Sequence, residues 1–271
     1  MIARIQLIRG EVLVDLSRPT SLALPVDFSG REPQHFGAPP PSSRPFAVPG
    51  FSGAVATGAS CNCSTIMLTP HCNGTHTECV GHLTHDKLDA HTVVPVGLLP
   101  ALLLSIEPAD ALATRESTIP APRGGDRLVT AQSIERGWLL NGQLDPSLEN
   151  VFEPHALVIR AATGAASTPP YLSREAAELL VERNIEHLVV DFPSIDRAQD
   201  EGKLTAHRVF FGLPSGSISL VQATRARATV TELARIPEEV ADGWYLLELQ
   251  VPAIGGDAVP SRPLLYPLLS S

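Results

Sequence analysis

The chain has 271 residues, with 20 Lys and Arg against 29 Asp and Glu and a formal net charge of −9 at pH 7. That balance excludes the basic face a nucleic-acid binder uses to displace counterions. Apolar residues at 44% and charged residues at 18% describe a globular chain and not a disordered one.

Gly (20) and Pro (25) together exceed the usual background of roughly 12% and argue against a bundle of long helices. The longest apolar run, Val93–Leu104, is broken by Pro95, Gly97 and Pro100 and falls short of the ~18 residues of a membrane span. Arg4, Arg9, Glu11 and Asp15 interrupt the first apolar stretch, so no signal-peptide core can be drawn there. The expectation is a cytoplasmic protein with reduced cysteines, no disulfide framework, and neither nucleic acid nor membrane as partner.

In chain order, Ile2–Leu16 alternates as one or two strands with a turn at Arg9-Gly10. Residues 29–53 are rich in Pro, Gly and Ser, including Pro39-Pro40-Pro41, and predict a long arm. An arm of that kind, carrying His35-Phe36, could close a substrate pocket. Ser64–Thr69 reads as a strand, Val93–Ile106 as mixed strand and irregular apolar sequence, and Thr130 as the cap of a helix through Leu140. Ala156–Ala161 has a buried-strand pattern. Ser173 precedes the helical face Ala176, Ala177, Leu179 and Leu180, and Ile185–Phe192 is again a strand. Trp244–Val251 and Pro263–Leu269 supply late strands. The pattern is mixed α/β without a composition break, a single domain over 1–271.

All four cysteines (Cys61, Cys63, Cys72, Cys79) and five of the nine histidines (His71, His76, His82, His85, His91) lie between positions 61 and 91. In an extended segment His76 and Glu78 point to the same side; Cys72 and His82 share that parity, and His71 faces the other way. Gly74 frees the backbone to bend where ligands must converge. An N/S/O set drawn from Cys72, His76, Glu78 and His82 suits a divalent transition ion, the thiolate favouring Zn2+, with Mn2+ as the alternative. The competing readings are a polar surface loop and a structural zinc site; the latter lacks a Cys-x-x-Cys knuckle. Cys61 and Cys63 read as small buried residues and not as ligands.

The segment Cys72-Asn73-Gly74-Thr75-His76-Thr77-Glu78-Cys79-Val80-Gly81-His82 resembles the signature H-x-G-T-H-x-D-x-P-x-H of the metal-dependent cyclase/kynurenine formamidase family. Asp15-Leu16-Ser17-Arg18-Pro19 is similar to the family's opening strand end. Leu157–Arg160 resembles its buried strand, although Ala161-Ala162-Thr163-Gly164 departs from the R-T-G ending. Val190-Asp191-Phe192-Pro193-Ser194-Ile195-Asp196 is similar to its D-x-P-S-x-D turn. His207 and Glu232 stand where the family has late ligands, and Gly256–Arg262 resembles its terminal segment.

The resemblance implies a swivelling β/β/α fold, a homo-oligomer, and one or two divalent ions that generate a hydroxide to attack an amide carbonyl. It further implies metal ligands at Cys72, His76, Glu78, His207 and Glu232, with Glu78 bridging two ions and His82 as proton shuttle. The expected activity is hydrolysis of the C–N bond of an amide, formamide or cyclic amide; the rival is a non-catalytic relative with a structural metal or none.

Three departures bear on this: Cys72 in place of a histidine, Glu78 in place of an aspartate, and Val80 in place of a proline. Cys72 is favoured over His71 as ligand on spacing and parity, His71 being the alternative if a bulge precedes Gly74. Twenty-four residues separate His207 from Glu232, about twice the family's interval. Few aromatic residues remain to stack on an indole-derived substrate, which argues against N-formylkynurenine. Arg160 can pair a carboxylate or meet substrate; Asp191, Ser194 and Asp196 read as caps of a turn and helix. No G-x-S-x-G, G-x-G-x-x-G, Walker or H-E-x-x-H motif occurs.

Overall fold

The computed structural model describes residues 1–30, 34–144, 146–161 and 168–269. Among them, eleven strands make one mixed sheet. They are β1 Ile2–Leu7, β2 Gly10–Asp15, β3 Thr20–Ser21, β4 His76–Cys79, β5 Leu99–Ser105, β6 Ala156–Arg160, β7 His187–Val190, β8 Thr229–Glu232, β9 Gly243–Gln250, β10 Ala258–Pro260 and β11 Arg262–Leu269. Their order is β1-β2-β11-β9-β5-β6-β7-β8-β4-β10, with β3 paired to β11. Five helices accompany the sheet: α1 Ala90–Val93, α2 Ala131–Leu144, α3 Pro146–Val151, α4 Arg174–Glu182 and α5 Thr205–Phe210. None is long and apolar enough to cross a membrane. This is the mixed α/β architecture with few helices that the sequence predicts.

Strands β5 to β8 run parallel, and a parallel sheet covered on both faces demands side chains that are apolar in both directions. Leu102, Leu104, Leu157, Ile159, Leu188 and Val190 alternate into one core. Ala101, Leu103, Ala156, Val158 and Val189 alternate into the other. Burying each large aliphatic side chain contributes about 1.5–3 kcal/mol, which anchors the centre of the sheet on which the site is built. Helix α4 packs as its periodicity predicts: Ser173 Oγ accepts from Ala176 N at 2.9 Å, and Ala176, Ala177, Leu179 and Leu180 are buried.

The β1–β2 turn falls at Ile8-Arg9, one residue early, because Leu7 pairs with Gly10. The arm contains short ladders, Ser42–Pro45 with Ser64–Met67 and Ala47–Val48 with Phe51–Ser52; positions 31–33 of it lie outside the described residues. Cys61 and Cys63 precede Ser64–Met67, the strand that pairs with the arm, and are exposed, not buried as expected, because this segment packs on the arm and not in the core. Arg160 is structural: its guanidinium meets Asp242 at 3.0 Å and the carbonyls of Pro237 and Val240 at 2.8 Å each. Ala162-Thr163-Gly164, where the family resemblance breaks, lie outside the described residues.

Candidate metal centre

The centre is assembled at the β4 end of the sheet. Antiparallel β4 and β8 pair with His76 opposite Glu232 and Thr77 opposite Thr231. The period-2 pleat then puts His76, Glu78 and Glu232 on one face, while Thr77 and Thr231 meet on the other, their hydroxyls 2.7 Å apart. His76 Nε2 lies 3.5 Å from Glu232 Oε2. Its Nδ1–H donates to Gly74 O at 3.1 Å, which leaves the Nε2 lone pair directed at the carboxylates. Gly74 has φ 155°, and a Cβ there would press on Val26 Cγ2 at 3.1 Å and Leu24 O at 3.2 Å. Glycine is therefore required for the approach into β4.

Upstream, the extended parity fails. Pro70–Cys72 form a single 3₁₀ turn with Pro at its start, closed by Cys72 N donating to Thr69 O at 3.0 Å. A 3₁₀ turn rotates each residue by about a third of a circle, so the alternation that favoured Cys72 does not apply. His71 is the residue that swings inward: its Nδ1 lies 2.9 Å from Glu78 Oε2, and its ring centroid is 5.2 Å from that of His76. Cys72 is buried but joins none of the groups in which three donor atoms approach within 4.8 Å. The geometry favours His71 over Cys72 as the candidate ligand.

His207 arrives on α5 from the far side. Its Nε2 stands 2.7 Å from Glu78 Oε1 and 3.5 Å from Glu232 Oε1. Helix α5 begins after Leu204, which sits in the left-handed region and supplies no side-chain cap. Asp196 takes that role across the turn, accepting Ala206 N at 2.8 Å and His207 N at 3.0 Å. Glu232 is fixed in turn by Ile195 N, which donates to its Oε1 at 2.8 Å. In the D-x-P-S-x-D turn Ser194 and Asp196 are caps, as expected, whereas Asp191 accepts Ala161 N at 2.9 Å; the turn also supports two candidate ligands.

The charges are interlocked. Burial would pull the His207 imidazole down, but the Glu78 charge and the Asp196 hydrogen bond hold it well above the usual histidine range. Burial would raise Glu78, yet the facing His207 and His82 keep it well below the carboxylate range. Burial likewise opposes protonation of His71, and hydrogen bonds to Asp257 and Glu78 outweigh it, raising that ring to about 10.

Three ligand-type atoms, His76 Nε2, Glu78 Oε1 and His207 Nε2, are buried without a hydrogen-bond partner. His207 Nε2 and Glu78 Oε1 face each other at 2.7 Å as an ion pair. The donor atoms gather as His71, His76 and Glu78, and as Glu78, His207 and Glu232. His82 lies on the open side, its ring 4.4 Å from His71 and 5.9 Å from His207.

Asp257 joins the site with no signal in the sequence for its role. Its Oδ2 meets His71 Nε2 at 2.9 Å and His82 Nδ1 at 3.2 Å. It lies 175 positions from His82, and only the pairing of Ala258 with Glu78 brings it in. No local pattern could announce it.

A cavity of about 640 Å³ adjoins the centre and shares Asp196 with it. Gln34, His35 and Phe36 of the arm line one side, Tyr171 and Arg197 another. Asn73, beside the ligand turn, donates to Gln34 at 2.7 Å and ties the arm to the site.

The family described as "Putative cyclase" matches residues 14–197. Among solved structures, the chain is similar to a "novel cyclase" with TM-score 0.60 and 14% identity, over 93% of this chain and 89% of that one. It is similar to a "predicted metal-dependent hydrolase from Bacillus stearothermophilus" with TM-score 0.56 and 16% identity, over 92% and 98%. Isatin hydrolase A from Ralstonia solanacearum gives TM-score 0.56 and 16% identity, over 92% and 91%. At such identities the likeness is one of fold. No curated protein matches the chain. The family match itself covers well over half of the sequence, including His71, His76, Glu78, His82 and Asp196, and on that ground the chain belongs to the cyclase family.

Proposed function

We propose that the chain is a metal-dependent hydrolase that breaks the C–N bond of a small amide, formamide or cyclic amide. The observation that carries this is the trio of orphaned buried atoms on His76, Glu78 and His207. The His207–Glu78 ion pair offsets part of this burial, and a divalent ion satisfies imidazole lone pairs and carboxylates together. The residues fit such an ion: His71, His76 and Glu78 would hold one, and Glu78, His207 and Glu232 a second. With Cys72 outside both groups, the thiolate argument for zinc falls away, and the N/O donor set accepts Zn2+ or Mn2+.

When bound, the ion supplies Lewis acidity and lowers the pKa of water from 15.7 to about 7. His82 reaches the donor groups on one side and, at 29% side-chain exposure, the open side on the other. It takes the proton that the attacking water loses and delivers it to the leaving nitrogen. The water oxygen bonds the carbonyl carbon, the C–N bond breaks, and the amine departs with that proton. Asp196 holds His207 and Ile195 N holds Glu232, so neither has to reorganise during the reaction. The adjoining cavity is of a size for a small molecule, and His35 and Phe36 line it from the arm.

The test is the ion content of purified protein, with hydrolysis assayed on an amide panel that includes N-formylkynurenine and isatin. His76→Ala should empty the site with little loss of fold, and His82→Ala should retain the ion and lose about 10²-fold or more in rate. Folded, ion-free protein without turnover would favour a non-catalytic relative instead.

A further inference from the structure

We infer that Asp257 is a positioning residue that, through one carboxylate oxygen, fixes the ring tautomer of His82 and the outward face of His71. It rests on the assignment of His71 as ligand and His82 as proton carrier, and adds what sets their ring protons.

Asp257 Oδ2 faces His71 Nε2 at 2.9 Å and His82 Nδ1 at 3.2 Å. An ionised carboxylate only accepts, so both nitrogens turned toward it carry hydrogen. Without an ion, His71 Nδ1 likewise carries hydrogen toward Glu78 at 2.9 Å; when an ion takes the place of that hydrogen, Nδ1 is the nitrogen whose lone pair faces the centre, because Nε2 stays committed to Asp257. For His82 the hydrogen on Nδ1 leaves Nε2 as the unprotonated nitrogen of the neutral ring, the one able to take a proton.

The two rings stack at 4.4 Å with a 38° tilt, and a shared acceptor fits that spacing. The backbone of Asp257 is itself anchored: its carbonyl accepts Cys79 N at 3.0 Å, and Gly256 N before it donates to Asp89 at 2.8 Å. Its carboxylate keeps 42% of its exposure, so its charge is sustained without full desolvation.

The same three atoms lie within 4.8 Å of one another and could be mistaken for a third cation site. His71 would then have to give lone pairs from both nitrogens and lose its ring hydrogen, which a hydrogen bond to Asp257 does not require.

The experiment compares the full-length protein with Asp257→Asn and Asp257→Ala, with thermal unfolding as the check on fold. Long-range ¹H–¹⁵N spectra of the histidine rings in mildly alkaline buffer read the tautomer in ion-free and ion-loaded protein alike. The expected native state of His82 is Nδ1–H, replaced in Asp257→Ala by a spectrum of mixed or Nε2–H form. Ion loss to a chelator should speed up about 10–100-fold, with ion stoichiometry unchanged and with Asp257→Glu partly restoring retention.

An unchanged His82 tautomer in Asp257→Ala overturns the inference, as does native-like ion retention in both Asn and Ala variants. A fall in stoichiometry would assign the cluster to an ion instead, and also overturns it. Tautomer and retention need no substrate, so a chain that hydrolyses no amide would sink the hydrolase reading while leaving these results to stand or fall alone.

Discussion

Asp196 holds His207 at two levels, accepting the ring Nδ1 at 2.7 Å and the backbone N–H of the same residue at 3.0 Å. One carboxylate therefore caps α5 and aims Nε2 of His207 at Glu78. Removing it should act on both levels. Asp196→Ala is expected to lower stability by about 1–2 kcal/mol through the lost cap and to weaken ion retention about 10–100-fold. Asp196→Asn, which keeps an acceptor oxygen, should recover most of the stability and little of the retention. Thermal unfolding and chelator competition separate the two effects.

His71 and Cys72 are neighbours with opposite predicted consequences. His71→Ala should release ion from the His71–His76–Glu78 group, whereas Cys72→Ala should keep full ion content, since Cys72 enters none of the donor groups. Metal analysis after dialysis decides between them. Ion loss in Cys72→Ala with His71→Ala unaffected would restore the spacing-based assignment.

How far this site is legible in sequence depends on how local its cause is. His76 and Glu78 are readable because β4 is a true strand and period 2 holds along it. His71 is not legible by period 2 because Pro70, a helix-start residue, opens a 3₁₀ turn over Pro70–Cys72, and that turn replaces the extended alternation before the chain reaches β4. The D-x-P-S-x-D turn is readable as a cap, while its contacts with His207 and Glu232 depend on β7 and β8 lying side by side. Asp257 is set wholly by the pairing of β10 with β4, and no spacing rule reaches across it. The exposure of Cys61 and Cys63 is not legible because cysteine's average burial says nothing about a segment that packs on an arm and not in the core.

The contrast in exposure among the four thiols has a direct consequence in solution. Cys61 and Cys63 are exposed, and Cys72 and Cys79 are buried. Burial also raises the Cys79 thiol to about 12 and moves Cys72 upward, which lowers the thiolate fraction that reacts. A disulfide reagent at pH 8 should thus modify two thiols quickly in the folded protein and the other two only on unfolding. Four fast thiols would show that the arm and the ligand turn are not as described.

Acid and base should act differently on the ion-free and ion-loaded protein. Without an ion, the His71 ring is raised from 6.5 to about 10 by Asp257 and Glu78, against the pull of burial, and His207 is raised as well. A raised histidine contributes stability that is fully present below its unfolded value and is lost as pH climbs through the folded one. The ion-free protein should accordingly lose stability between about pH 6.5 and 10 as His71 deprotonates. The depressed carboxyls of Glu78 and Asp257 work in the other direction, their contribution being lost as pH falls below the ordinary carboxylate range. An ion needs the same ring nitrogens free of protons, so loading should release protons at neutral pH and bind more tightly as pH rises. The unfolding temperature of chelated protein should therefore drop from pH 7 to pH 10 while that of loaded protein holds or rises. Calorimetric titration in buffers of different ionisation enthalpy would count the protons released, and a count of zero at pH 7 would rule out His71 and His207 as ligands.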